Sequence, residues 1–100
     1  MKVKQNYIEC AKKNENIFRL ILDKYKKEQE GLTIEQIYEK YSEGRRYGIW
    51  TILDFKELEP NIFEFSSEDI AMLSGRGSSE RFTMEDGMLK HVGSGMRWMS

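Results

Sequence analysis

The sequence predicts an α+β fold, with two N-terminal helices packed on a C-terminal antiparallel β-meander of five or six strands. Three observations predict it. Apolar residues recur at helical spacing before Gly44, short apolar runs alternate with turn residues after Arg46, and Asp86-Gly87 marks a two-residue hairpin turn. Helices with one apolar stripe need a surface to bury it, and the free face of an antiparallel sheet supplies one. A chain of 100 residues has room for one domain, its helical part spanning about 1–44 and its β part about 46–100.

The first helix is read from Asn14, where "NENIFRLILDKYKKEQEG" sets Ile17, Leu20, Ile21 and Tyr25 at helical spacing. Phe18 and Leu22 widen the stripe, and Gly31 is the expected stop. In "LTIEQIYEKYSEG", Thr33 and Gln36 have the spacing of a capping box, and Leu32 and Ile37 that of a hydrophobic staple. These devices predict a second helix from Ile34 to about Tyr41, with Ile34, Ile37, Tyr38 and Tyr41 inward and Gly44 closing it.

"RRYGIWTILDFKELEP" reads either as a buried helix or as a strand buried on both faces, and its Ile, Trp and Thr favour the strand. Pro60-Asn61 is a turn into "IFEFSS", where Phe63 and Phe65 alternate with Glu64. "DIAMLSG" is a third short run and "GRGSS" a loop. Around Asp86-Gly87 the expected partners are Glu85 with Met88, Met84 with Leu89, Thr83 with Lys90, and Phe82 with His91. Phe82, Met84, Leu89 and His91 then share the apolar face. A break at Gly93-Ser94-Gly95 leaves "MRWMS" as a last strand.

The stretches "GIWTILDF", "IFEF", "IAMLSG", "RFTMEDG" and "MLKHVG" together resemble lipocalin-like β-meander proteins, whose first strand often opens with Gly-x-Trp, here Gly48 and Trp50. The resemblance covers about half the chain, and it implies a small-ligand binder built on an open sheet. Those barrels use eight or more strands where five or six fit here, so closure would need a second copy, as a homodimer, or a helix laid over the sheet.

Composition excludes several classes. The single cysteine, Cys10, cannot form an internal disulfide, and no apolar run has the length of a membrane span or signal segment, so the expectation is a cytoplasmic protein. His91 is the only histidine, and no metal-type spacing exists, so neither a metal nor a cofactor is expected. A Cys10–His91 nucleophile pair lacks an orienting motif, and packing of His91 against Phe82 at a sheet edge is the preferred reading. "SGRGSS" lacks the lysine and helix of a phosphate loop, and the pairs Glu68/Asp69 and Glu85/Asp86 are placed in turns. No enzyme is expected.

Binding is what remains. Residues 1–30 carry eight Lys/Arg against five Asp/Glu, a field that a solvated helix face accounts for. The leading expectation is a small non-catalytic protein that binds another macromolecule, a protein above all, as an inhibitor, adaptor or accessory subunit of the kind phages and mobile elements encode. Its binding candidates are Arg45, Arg46, Arg76, Arg97 and Trp98, since Arg, Trp and Met are enriched at interfaces and "GSGMRWMS" leaves a strand edge to extend. The alternative is a winged helix-turn-helix DNA-binding regulator with residues 48–59 as recognition helix and the Asp86-Gly87 hairpin as wing. Nucleic acid is disfavoured, because Asp54, Glu57 and Glu59 would face the phosphates.

Overall fold

A computed structural model describes residues 7–41, 49–71 and 74–99, with side chains for all of these except 49, 70, 71, 74–76 and 96–99. Three helices come first, α1 (Tyr7–Lys13), α2 (Glu15–Lys24) and α3 (Ile34–Tyr41). Four strands follow, β1 (Ile49–Glu59), β2 (Ile62–Ala71), β3 (Ser74–Glu85) and β4 (Met88–Met99). They form one sheet in the order β1-β2-β3-β4, every neighbouring pair antiparallel. No described helix is long and apolar enough to cross a membrane.

The α+β class stands, but the expectation of two helices and five or six strands is corrected to three helices and four strands among the described residues. The added helix, α1, buries only Tyr7 and Ala11 completely, too few residues to make a readable stripe. It is divided from α2 at Asn14, whose side-chain amide donates to the Cys10 carbonyl at 3.1 Å. The missing strands were parts of longer ones. "GRGSS" lies inside β3, Glu68 and Asp69 lie inside β2, and β4 runs straight through Gly93-Ser94-Gly95. Glycine and serine there are paired residues of the ladder, Gly93 with Arg81 and Ser94 with Glu80.

Gly31 does not end α2. The Lys27 amide donates to the Leu22 carbonyl at 3.0 Å and the Lys26 amide to that of Asp23 at 2.9 Å, with Lys26 at φ 58°. This is a Schellman motif with lysine where glycine is usual. The segment from there to α3 is tied down by Arg19, whose guanidinium reaches the Leu32 carbonyl at 2.8 Å, and by buried Gln29, whose amide donates to the Arg19 carbonyl at 2.8 Å and Asp23 Oδ1 at 2.6 Å. The capping box forms as read. The Thr33 amide meets Gln36 Oε1 at 2.8 Å and the Gln36 amide meets Thr33 Oγ1 at 3.1 Å.

The helices lie on one face of the sheet and bury Phe18, Ile21, Leu22 and Ile37 with Ile52, Phe55, Phe65 and Phe82 of the strands. Residues 49–59 are a strand, but with a fault in its alternation. Trp50 and Ile52 face the core, then Phe55 does, because Leu53 is an extra residue between the pairs Ile52–Ser67 and Asp54–Ser66. Such a bulge shifts the side-chain phase by one position and bends the strand. The Pro60-Asn61 turn closes β1 on β2 with Asn61 at φ 68°, a left-handed position asparagine tolerates. Asn61 also bonds β3, through Nδ2 to the Met84 carbonyl at 3.0 Å and its own carbonyl to Thr83 Oγ1.

Two substitutions test this frame. Phe65→Ala removes a fully buried ring that touches Phe18, Tyr25, Trp50 and Phe55, and should cost about 3–5 kcal/mol in urea unfolding. Lys26→Gly relieves a left-handed side chain at an exposed helix end and should raise stability by about 0.5–1 kcal/mol; a loss instead would show that the Schellman geometry is not what ends α2.

Candidate interaction site on strands β3 and β4

The β3–β4 hairpin has the register the Asp86-Gly87 turn predicts, with Phe82 opposite His91, Thr83 opposite Lys90, Met84 opposite Leu89 and Glu85 opposite Met88. Both turn residues have positive φ, 53° and 76°, as a type I′ turn requires. His91 packs on Phe82 with ring centroids 5.4 Å apart, on the strand that forms the sheet edge.

At the other end of the hairpin the register pairs Arg76 with Met99, Gly77 with Trp98 and Ser78 with Arg97. Three of the five candidate binding residues, Arg76, Arg97 and Trp98, are thus brought to one end of the β3–β4 ladder. Arg45 and Arg46 lie outside the described residues.

Between these ends sits a polar node that sequence reasoning missed. Glu80, on β3, accepts two bonds at one oxygen, from Ser94 Oγ at 2.8 Å and with His91 Nε2 at 2.9 Å. The ladder is irregular on both sides of it, between Ser78 and Glu80 and between Arg81 and Phe82. The carboxylate therefore pins β4 to β3 where backbone pairing falters. The set is not a nucleophile triad, because histidine and serine meet the same carboxylate oxygen instead of histidine standing between the other two. Nor do Cys10 and His91 meet. Cys10 lies against β1 beside Glu57, and His91 lies on β4, at the opposite edge. Among the described residues no group of His, Cys, Asp or Glu is placed to hold a metal.

Tyr25 reaches toward this node from the end of α2. Burial pushes its hydroxyl above the ordinary tyrosine value, the negative charge of Glu80 adds to that, and a hydrogen bond with Ser67 opposes it. Nothing in sequence spacing links Tyr25, Ser67, Glu80 and Ser94. They meet only because the strand register and the α2 packing place them together.

The opposite face of the sheet is polar. Glu64, on β2, lies between Lys56 Nζ at 3.6 Å and Arg81 Nε at 3.2 Å, and Ser66 Oγ meets Ser79 Oγ at 2.7 Å. Gly95 faces this row, where an added Cβ would stand 2.8 Å from Glu64 Oε2. Charge also grades across the sheet. β1 has three acids and one lysine, β2 three acids, β3 two of each sign, and β4 only the cations Lys90 and Arg97.

The two edges differ in cover. On β1 the Phe55 amide donates to Asp54 Oδ1 at 2.9 Å, and the Glu57 backbone bonds Cys10 of α1. β4 is held by its ladder with β3 and by the His91 and Ser94 bonds to Glu80. Burial raises the Cys10 thiol above its ordinary range, which holds the sulfur protonated over that edge. No family model, no curated protein and no solved structure matches the chain.

A near-ultraviolet absorbance titration, compared with that of Tyr25→Phe, should find Tyr25 ionising above the ordinary tyrosine value. Glu80→Gln should move it part of the way back and leave the burial contribution in place. Because the folded-state value is raised, the associated stability is full below the unfolded value of about 10 and is lost as pH rises through the folded one, so unfolding midpoints should fall in that alkaline window.

Proposed function

We propose that this chain is a small non-catalytic protein that binds another macromolecule, a protein rather than a nucleic acid, as an inhibitor, adaptor or accessory subunit. The observation that carries the reading is the contrast between the two sheet edges. β1 is covered by α1 and by its own Asp54, whereas β4 pairs with β3, carries cations without acids, and has Arg97 and Trp98 at its end. Edge strands are ready templates for pairing, and proteins that do not use them hide them.

The DNA-binding alternative loses its recognition helix, since residues 49–59 are a strand with Asp54, Glu57 and Glu59. The ligand-binding alternative needs a concave apolar sheet face, and here Phe18, Ile21 and Leu22 are packed on that face. Neither has an observation in its favour.

The test uses the full chain as bait and compares it with a variant in which Arg97→Ala and Trp98→Ala are combined. Capture of a partner by the parent and its loss from the variant, with unchanged melting curves, is the expected outcome. A variant that unfolds would assign the pair to the core. Equal capture by both would place the binding surface elsewhere.

A further inference from the structure

The β3–β4 turn joins a reactive pair of residues to a geometry that opposes their reaction. Glycine has no side chain to hinder the approach of its own nitrogen to the carboxyl of a preceding aspartate, so Asp86-Gly87 has the least obstructed route to ring closure of any Asp-X pair. Both residues are exposed, and water reaches them. We propose that Asp86-Gly87 is a latent isoaspartate site, held unreactive by the folded turn and modified only when the hairpin opens.

The reaction needs water alone. The Gly87 nitrogen attacks Cγ of Asp86, an N–Cγ bond forms and one Cγ–O bond breaks. Water leaves, carrying that oxygen, the amide proton and a proton from solvent, and a five-membered succinimide remains. A second water then opens the ring, giving its hydroxyl to a carbonyl carbon and its proton to the nitrogen. Opening at Cγ restores aspartate. Opening at the former main-chain carbonyl leaves Cβ and Cγ of residue 86 in the main chain and a carboxylate beside it, an isomer of unchanged mass.

Ring closure requires the Gly87 nitrogen and the Asp86 side chain on the same side of the Asp86 Cα–C bond. The folded turn sets the opposite arrangement. Its φ values of 53° and 76° are those of a type I′ turn, whose first central residue has ψ of about 30°, and this turns the next nitrogen nearly anti to Cβ. Closure must rotate that torsion through most of a half-turn, which the ladder pairs Glu85–Met88, Met84–Leu89 and Thr83–Lys90 oppose. The β1–β2 turn braces the same stem, through Asn61 Nδ2 to the Met84 carbonyl at 3.0 Å and Thr83 Oγ1 to the Asn61 carbonyl. Once formed, isoaspartate lengthens a two-residue turn by one main-chain atom, and the register that sets Phe82 opposite His91 is lost with it.

The test incubates the full chain at neutral pH and body temperature, folded and in urea. Isoaspartate is counted by peptide mapping, which separates the isomers at equal mass, and by methyl-ester formation with an isoaspartyl methyltransferase. The expected result is modification at residue 86 at least about tenfold slower in the folded chain, because reaction from an open state follows the population of that state. Thr83→Val, which keeps the side-chain shape and removes the brace, should raise the folded rate about threefold, in step with hydrogen exchange of the Leu89 amide, and leave the rate in urea unchanged. If that variant does not fold, Asp86→Asn decides: it preserves the turn chemistry, its product carries a mass change, and its rate should show the same dependence on folding. Equal rates in the folded and unfolded chain, or a folded rate that stays constant while Leu89 exchange rises, would overturn the protection by the turn. Absence of isoaspartate at residue 86 from the urea-treated chain would overturn the site itself.

Discussion

Phe65 is the point about which this small protein is organised. Its ring lies 6.2 Å from Phe18 of α2, 5.5 Å from Tyr25, 5.9 Å from Trp50 and 6.2 Å from Phe55, and it is fully buried. Three segments distant in sequence therefore share one contact surface. A chain of this size buries only part of the surface its unfolded form exposes, so a few large rings must do most of the stabilising. Aromatic side chains suit that demand because each removes much apolar area from water for two rotatable bonds.

That concentration explains why the helices all lie on one side. The strands supply Trp50, Ile52, Phe55, Phe63, Phe65 and Phe82 to a single face, while the other carries Ser66, Ser79 and the Lys56–Glu64–Arg81 row. Only the first face has enough apolar surface to hold helices. The bulge at Leu53 is what keeps β1 in phase with it, since without the extra residue Trp50 and Phe55 would fall on opposite faces.

The same bulge explains what the sequence made legible and what it did not. Trp50, Leu53, Ile52 and Phe55 mix spacings of two and three, so residues 49–55 read as helix and as strand at once, and composition had to decide. The hairpin at Asp86-Gly87 and the cap at Thr33 and Gln36 are complete within a few residues, and both appear as read. The end of α2 was misplaced because a lysine, Lys26, takes the left-handed position normally left to glycine. Strands were overcounted for a related reason. Glycine and serine signal turns when only local chemistry is considered, but Gly77 and Ser78 are held extended by partners on both sides and Ser79 by Ser66 on β2, which local propensity does not see. Of the candidate site, the Arg76–Arg97–Trp98 grouping was legible only as separate residues, and the Glu80 node not at all, because it depends on register across two strands.

Small residues along β3 and β4 have a consequence for the edge itself. A strand with bulky β-branched residues throughout would be a strong pairing surface for any extended chain, its own kind included. Here the middle of β4 is Gly93, Ser94 and Gly95, and the ladder loses its regularity on both sides of Glu80. The His91 and Ser94 bonds to that carboxylate add to the backbone pairing that keeps the strand in the sheet. Acids gather on β1 and β2, and the only charged residues of β4 are the cations Lys90 and Arg97, so the sheet carries a charge gradient across its strand order.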